Sequence, residues 1–170
     1  MTTESVAPET LHAWAIYLRA SDEARHRGDR RTGTEHILLA LFEDPSIEVV
    51  LGVNLQQVRQ ALLVLDHEAL GALGLDSGTD DPALPIRAVS RKPRISDVAR
   101  KDRLRMTPAA KKALQEAVKP NRRKTQVTAQ QVLAQILTLQ PPDPAAVLLG
   151  VLGVNASEVR RGLDAVTPDS

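Results

Sequence analysis

Apolar residues recur along the chain at steps of three and four. Leu55, Val58, Leu62 and Leu65 fall on one helical face, and Ala156, Val159, Leu163 and Val166 repeat the same spacing further on. Both stretches predict amphipathic α-helices. Asn54 with Gln57, and Asn155 with Glu158, place an N-cap acceptor three residues before a side chain able to reach back to the cap's own N–H. Gly52 and Gly153 fall where a preceding short helix needs a left-handed stop. The agreement is literal as well as chemical. Val50-Leu51-Gly52-Val53-Asn54 recurs as Val151-Leu152-Gly153-Val154-Asn155, and Val58-Arg59 as Val159-Arg160, at an offset of 101 residues.

A duplication sets the architecture before any single helix is argued. Upstream, Gly33-Thr34-Glu35-His36-Ile37-Leu38 aligns with Thr128-Ala129-Gln130-Gln131-Val132-Leu133 at an offset of 95, and both open an apolar helical run. The difference between the two offsets is assigned to the loop holding Pro141, Pro142 and Pro144. A longer helix begins each copy: Pro8 to about Gly28, and Thr107-Pro108 to about Lys119, where Thr is a good N-cap and Pro suits the first helical position. No segment alternates apolar and polar positions between turn signals, so no strand is predicted. The expected fold is all-α, with eight helices in two pseudo-symmetric four-helix repeats. The whole forms one domain: repeat one spans 8–73, a Pro- and Gly-containing basic linker 74–105, and repeat two 106–166. A connection of that length with little periodicity points to a functional loop or disorder.

Composition narrows the function. The 170 residues are 42% hydrophobic and 25% charged, a globular balance that allows a core without disulfide or metal staples. No Cys is present, which removes thiol catalysis and thiolate metal sites. Trp14, Tyr17 and Phe42 are the only aromatic residues, too few for a single-strand stacking platform or for membrane-interface belts. Core packing is the expected role of Trp14 and Phe42. The start, Met1 to Pro8, carries Glu4 and no basic-then-apolar signal, so a cytoplasmic location is expected. The longest apolar run, Ala145 to Val154, is about half of the ~20 residues a spanning helix requires.

Catalytic constellations are missing. Asp76-Ser77-Gly78-Thr79 spells an aspartic-protease loop, but it occurs once, in a Gly-containing linker, and reads as a solvated turn. His12, His26, His36 and His67 form no metal-ligand spacing, and no nucleophile elbow or triad is found. His36 is expected to be packed or engaged in capping. No enzyme activity, metal or cofactor is expected.

The string Gly33-Thr34-Glu35-His36-Ile37-Leu38-Leu39-Ala40-Leu41, the short helix ending Leu51-Gly52-Val53 and the second opening Thr107-Pro108-Ala109-Ala110-Lys111-Lys112 together resemble the Clp N-terminal (Clp R) domain. In that family the domain precedes the ATPase rings of Clp unfoldases. This sequence has no Gly-x-x-x-x-Gly-Lys-Ser/Thr phosphate loop, so the resemblance implies a stand-alone binding module acting with Clp machines as adaptor or decoy. Its implied partners are client proteins, adaptors, Clp components or small ligands, including phosphoarginine and cyclic peptides. The resemblance also implies an apolar peptide-binding surface on which one of the aromatic residues is exposed.

The resemblance further implies a phosphoarginine site at Thr34 and Glu35. A helix N-terminus suits the phosphate and a carboxylate suits the guanidinium. The second-repeat equivalents, Ala129 and Gln130, lack the hydroxyl and the charge, so at most one such site is expected. A plainer role for Glu35 is complementing its helix dipole, worth about 0.3–1 kcal/mol.

Charge keeps an alternative open. The net charge is only +1, yet residues 87–124 hold fourteen Lys or Arg against Asp97, Asp102 and Glu116, so this segment is +11 and the remainder −10. Such a cluster fits a solvated loop, an acidic protein partner or, third, a nucleic-acid or regulatory role.

Overall fold

The computed structural model describes residues 10–74, 104–119 and 126–166. The bulk of the linker, with Asp76-Ser77-Gly78-Thr79 and Arg87 to Arg103, lies outside the described residues, as do Arg122, Arg123 and Lys124.

Among the described residues the fold is all-α in its bulk, with eight helices. Before the linker come α1 (Ala13–Arg27), α2 (Thr34–Leu41), α3 (Pro45–Leu51) and α4 (Leu55–Ala72). After it come α5 (Pro108–Val118), α6 (Ala129–Ile136), α7 (Pro144–Val151) and α8 (Ala156–Val166). The caps follow local chemistry. Asn54 accepts from the N–H of Gln57, whose side chain accepts from the N–H of Asn54 in return. Thr107 caps α5 with Pro108 behind it. Gly52 and Gly153 take left-handed φ values of 67° and 70°, as the stop positions require.

Two expectations fail. The first helix starts at Ala13 rather than Pro8, because Thr10–His12 forms a strand, β1. Three more short strands are present: β2 (Arg31–Thr32), β3 (Arg105–Met106) and β4 (Gln126–Thr128). Each has two or three residues, too short for the alternation that reveals a strand in sequence. β1 pairs antiparallel with β4, Leu11 opposite Val127, and β2 pairs parallel with β3, Thr32 opposite Met106. Both ladders therefore tie the chain before the linker to the linker's last residue and the chain after it.

The helices cross over in the same way. α7 packs on α2 and α4, while α3 packs on α8. A single buried cluster runs through all eight helices, including Ile16 of α1, Leu38 of α2, Ile47 of α3, Val58 of α4, Leu114 of α5, Leu133 of α6, Leu148 of α7 and Leu163 of α8. The two halves share this one core, with helix packing both within each half, as α1 on α2 and α5 on α6, and between them.

The offset between the halves is also partitioned more finely than the loop assignment. Asp44-Pro45 and Asp143-Pro144 start α3 and α7 identically, as an Asp N-cap followed by Pro at the first position. Four of the extra residues precede Asp143, and the other two fall between Pro144 and Gly153, where α7 is longer than α3.

Candidate functional site

The segment 33–36 opens α2. Gly33 is its extended N-cap, and with no side chain of its own it relies on His36, whose Nδ1 accepts the Gly33 N–H at 3.0 Å. The other ring nitrogen, Nε2, donates to Asp29 Oδ2 at 2.8 Å. His36 is thus buried and bonded at both nitrogens, the capping role expected of it. Asp29 also accepts from Arg27, which reaches Asp66 on α4 at 2.6 Å. Burial works against the Arg27 charge, but the hydrogen bonds of Asp66 and Asp29 outweigh it, and its pKa is raised.

Glu35 folds back over Gly33, where a Cβ would overlap both carboxylate oxygens. Glycine there makes room for a charge. Oε1 lies 3.0 Å from His36 Nδ1, the atom that accepts the Gly33 N–H. Oε2 is buried with no hydrogen-bond partner. A buried carboxylate oxygen so placed lacks a donor, and an incoming cation would supply one.

Thr34 is bonded within the fold. It is 1% exposed, and its hydroxyl donates to Asp143 Oδ1, the N-cap of α7, at 2.7 Å. The hydroxyl serves the contact between α2 and α7. At the equivalent start of α6, Ala129 is fully buried and Gln130 reaches Ser46 of α3 in a long 3.5 Å contact. The structure therefore separates the four residues: Thr34 and Glu35 on the α2–α7 side, Ala129 and Gln130 on the α6–α3 side.

A second feature was only partly legible in sequence. A groove of about 410 Å³ opens between α1 and α5, lined by Trp14, Tyr17, Met106, Lys111, Leu114 and Val118. Trp14 is 46% exposed, which corrects its assignment to the core. The buried face of α1 is carried by Ala15, Ile16, Leu18, Ala20 and Ala24, and that row leaves the indole at its margin. Tyr17 is buried behind it, ring centroids 5.1 Å apart, and donates its hydroxyl to the Leu104 carbonyl at 2.7 Å. Phe42 packs in the core as expected. The step from Trp14 to Tyr17 signals a shared helix side, but only tertiary packing shows which member faces outward.

The described part of the basic segment presents Arg105, Lys111, Lys112 and Lys119 to solvent, with Lys119 paired to Glu116. Among the described residues no group of three or more His, Cys, Asp or Glu is placed to hold a metal ion, and no helix is long and apolar enough to cross a membrane.

A search of curated proteins returns no match to this chain. The family model of the Clp repeat (R) N-terminal domain matches residues 9–138, from the approach to β1 to just beyond α6. The duplicated helices, the Gly-Thr-Glu-His opening of α2 and this match over most of the chain agree, and the chain belongs to the Clp repeat (R) N-terminal domain family.

Proposed function

We propose that this domain is a non-catalytic recognition module of Clp-dependent proteolysis that binds segments of client or adaptor proteins, and cyclic peptides, in the Trp14 groove. The carrying observation is the half-exposed indole over an apolar floor of Tyr17, Met106 and Leu114. Exposed large aromatics at the edge of a preformed groove are the usual anchors of polypeptide binding. Lys111 at the rim favours acidic or carboxylate-bearing partners.

Trp14 is the only tryptophan, so its fluorescence reports on the groove directly. Binding of casein, an unfolded protein, is expected to shift Trp14 emission to the blue and shield it from iodide. Trp14→Ala is expected to weaken that binding about tenfold or more, as loss of an anchoring aromatic does. Casein binding that leaves the emission unchanged and survives Trp14→Ala would refute the reading. Delivery and sequestration separate by rate: added domain speeds client degradation by a Clp protease in the first case and slows it in the second.

A second reading concerns Glu35, and the buried oxygen without a donor favours it. A guanidinium, including that of phosphoarginine, would give this carboxylate the hydrogen bonds it lacks, with Glu35 acting without Thr34. Calorimetric titration of phosphoarginine into the wild type and Glu35→Gln tests it. Equal heats from both proteins would remove Glu35.

A further inference from the structure

A cavity of about 420 Å³ lies on a different part of the molecule from the Trp14 groove, where α3, α6 and α8 meet. Its lining is Val50, Gln130, Glu158, Val159, Gly162 and Leu163. The volume falls within the roughly 300–1,000 Å³ of ligand sites, and the apolar walls with few polar groups match their usual make-up.

Gly162 is the unexplained residue. It sits inside α8, where glycine weakens a helix relative to alanine. Neither common reason for a glycine applies. Its φ is not among the positive values, and a Cβ built on it would meet nothing within 4 Å. What the missing side chain does is leave space in the cavity. At the equivalent place before the linker stands Ala61, buried in α4 between Val58 and Leu62.

The polar pair is exchanged as well. The starts of α2 and α4 carry Glu35 and Gln57, and those of α6 and α8 carry Gln130 and Glu158. Gln57 is held by the Asn54 cap at 2.8 Å, whereas Glu158 is exposed at the cavity rim. The carboxylate on the α6–α3 side therefore borders an apolar hollow and faces solvent. Arg160 and Arg161, the basic residues of α8, are not part of the lining. Aliphatic walls beside one accessible negative charge complement an aliphatic side chain next to a cation.

We propose that this cavity is a second polypeptide-binding site, independent of phosphate, that seats an aliphatic residue over Gly162 and pairs a neighbouring Lys or Arg with Glu158. The inference rests on the reading of the domain as a polypeptide-recognition module and specifies the peptide class taken at a site apart from the Trp14 groove.

The test uses the full chain and two fluorescein-labelled hexapeptides, one alternating Leu with Lys and one alternating Leu with Glu, followed by anisotropy. The Leu-Lys peptide is expected to bind and the Leu-Glu peptide to bind far more weakly. Gly162, an exposed residue of the lining, has open space where a side chain would project, and Gly162→Leu is expected to weaken Leu-Lys binding about tenfold or more by occupying that space, a steric exclusion. Because the variant has the better helix former, its thermal midpoint stays level or rises. Glu158→Gln, a change at an exposed side chain, is expected to weaken binding about two- to fivefold and to flatten its salt dependence. Trp14→Ala is expected to leave Leu-Lys binding unchanged. Equal binding of the two peptides, full affinity in folded Gly162→Leu, or loss of binding in Trp14→Ala alone would each overturn the site. Absence of Leu-Lys binding while casein still engages Trp14 would overturn it too, and would leave the reading of the groove intact.

Discussion

Asp143→Ala and Asp44→Ala form a matched pair in which the same residue, in the same N-cap role before proline, differs in one tertiary contact. Asp44 accepts the N–H of Ser46 at 2.9 Å, and Asp143 accepts the N–H of Ala145 at 3.0 Å. Truncating either removes a helix cap, worth about 1 kcal/mol. Only Asp143 also accepts the hydroxyl of Thr34, at 2.7 Å from a residue 1% exposed. Removing that acceptor leaves a buried donor unsatisfied, a further loss of about 1–3 kcal/mol. Asp143→Ala should therefore destabilise by about 2–4 kcal/mol and Asp44→Ala by about 1 kcal/mol. Urea unfolding followed by helical circular dichroism resolves the difference, since with a slope of about 2 kcal/mol/M a gap of about 1–3 kcal/mol moves the midpoint by about 0.5–1.5 M. Adding Thr34→Val to Asp143→Ala should recover part of the loss, because the orphaned hydroxyl is gone. Equal losses in the two Asp variants, or strict additivity in the double variant, would refute the idea that Thr34 joins α2 to α7.

Leu133→Ala, at a fully buried position of α6, should cost about 2–5 kcal/mol in urea unfolding, with the cooperative loss of the helices before the linker that share its core. Asn54→Ala removes a reciprocal cap on α4 and should lower stability by about 1 kcal/mol without altering ligand binding. Tyr17→Phe loses the bond to the Leu104 carbonyl and should cost about 0.5–1.5 kcal/mol by thermal unfolding. Phe42→Ala, in the core, should destabilise by about 3–5 kcal/mol, and Trp14→Ala by clearly less, because the indole is half exposed.

Local signals carried the helices because helix starts and stops depend on neighbours in sequence. Asn54 with Gln57, Thr107 with Pro108, and Gly52 with Gly153 need only a few adjacent residues to act, and all three behave as their spacing implies. The apolar steps after Asn54 and Asn155 likewise mark the faces that enter the core at Val58, Leu62 and Leu163. The eight helices and the family were legible for this reason.

Contacts between distant parts of the chain were not. β1 exists because β4 lies beside it, and a three-residue strand has no pattern of its own. The resemblance implied a ligand role for Thr34 from its motif alone, and the bond of its hydroxyl to Asp143, 109 positions away, had no trace in the sequence. Trp14 looked like core because a large aromatic on an amphipathic helix usually is, and its exposure follows from α1 burying the row of Ala15, Ile16, Leu18, Ala20 and Ala24, which leaves the indole at the groove margin. Gly162 carries no local signal of a role, and its place beside a hollow lined also from α3 and α6 is visible only in the fold. Amino-acid order settles what each segment can become, since capping and periodicity are short-ranged. The partners of each polar group, and the surfaces left open for others, were decided by packing the two halves into one core.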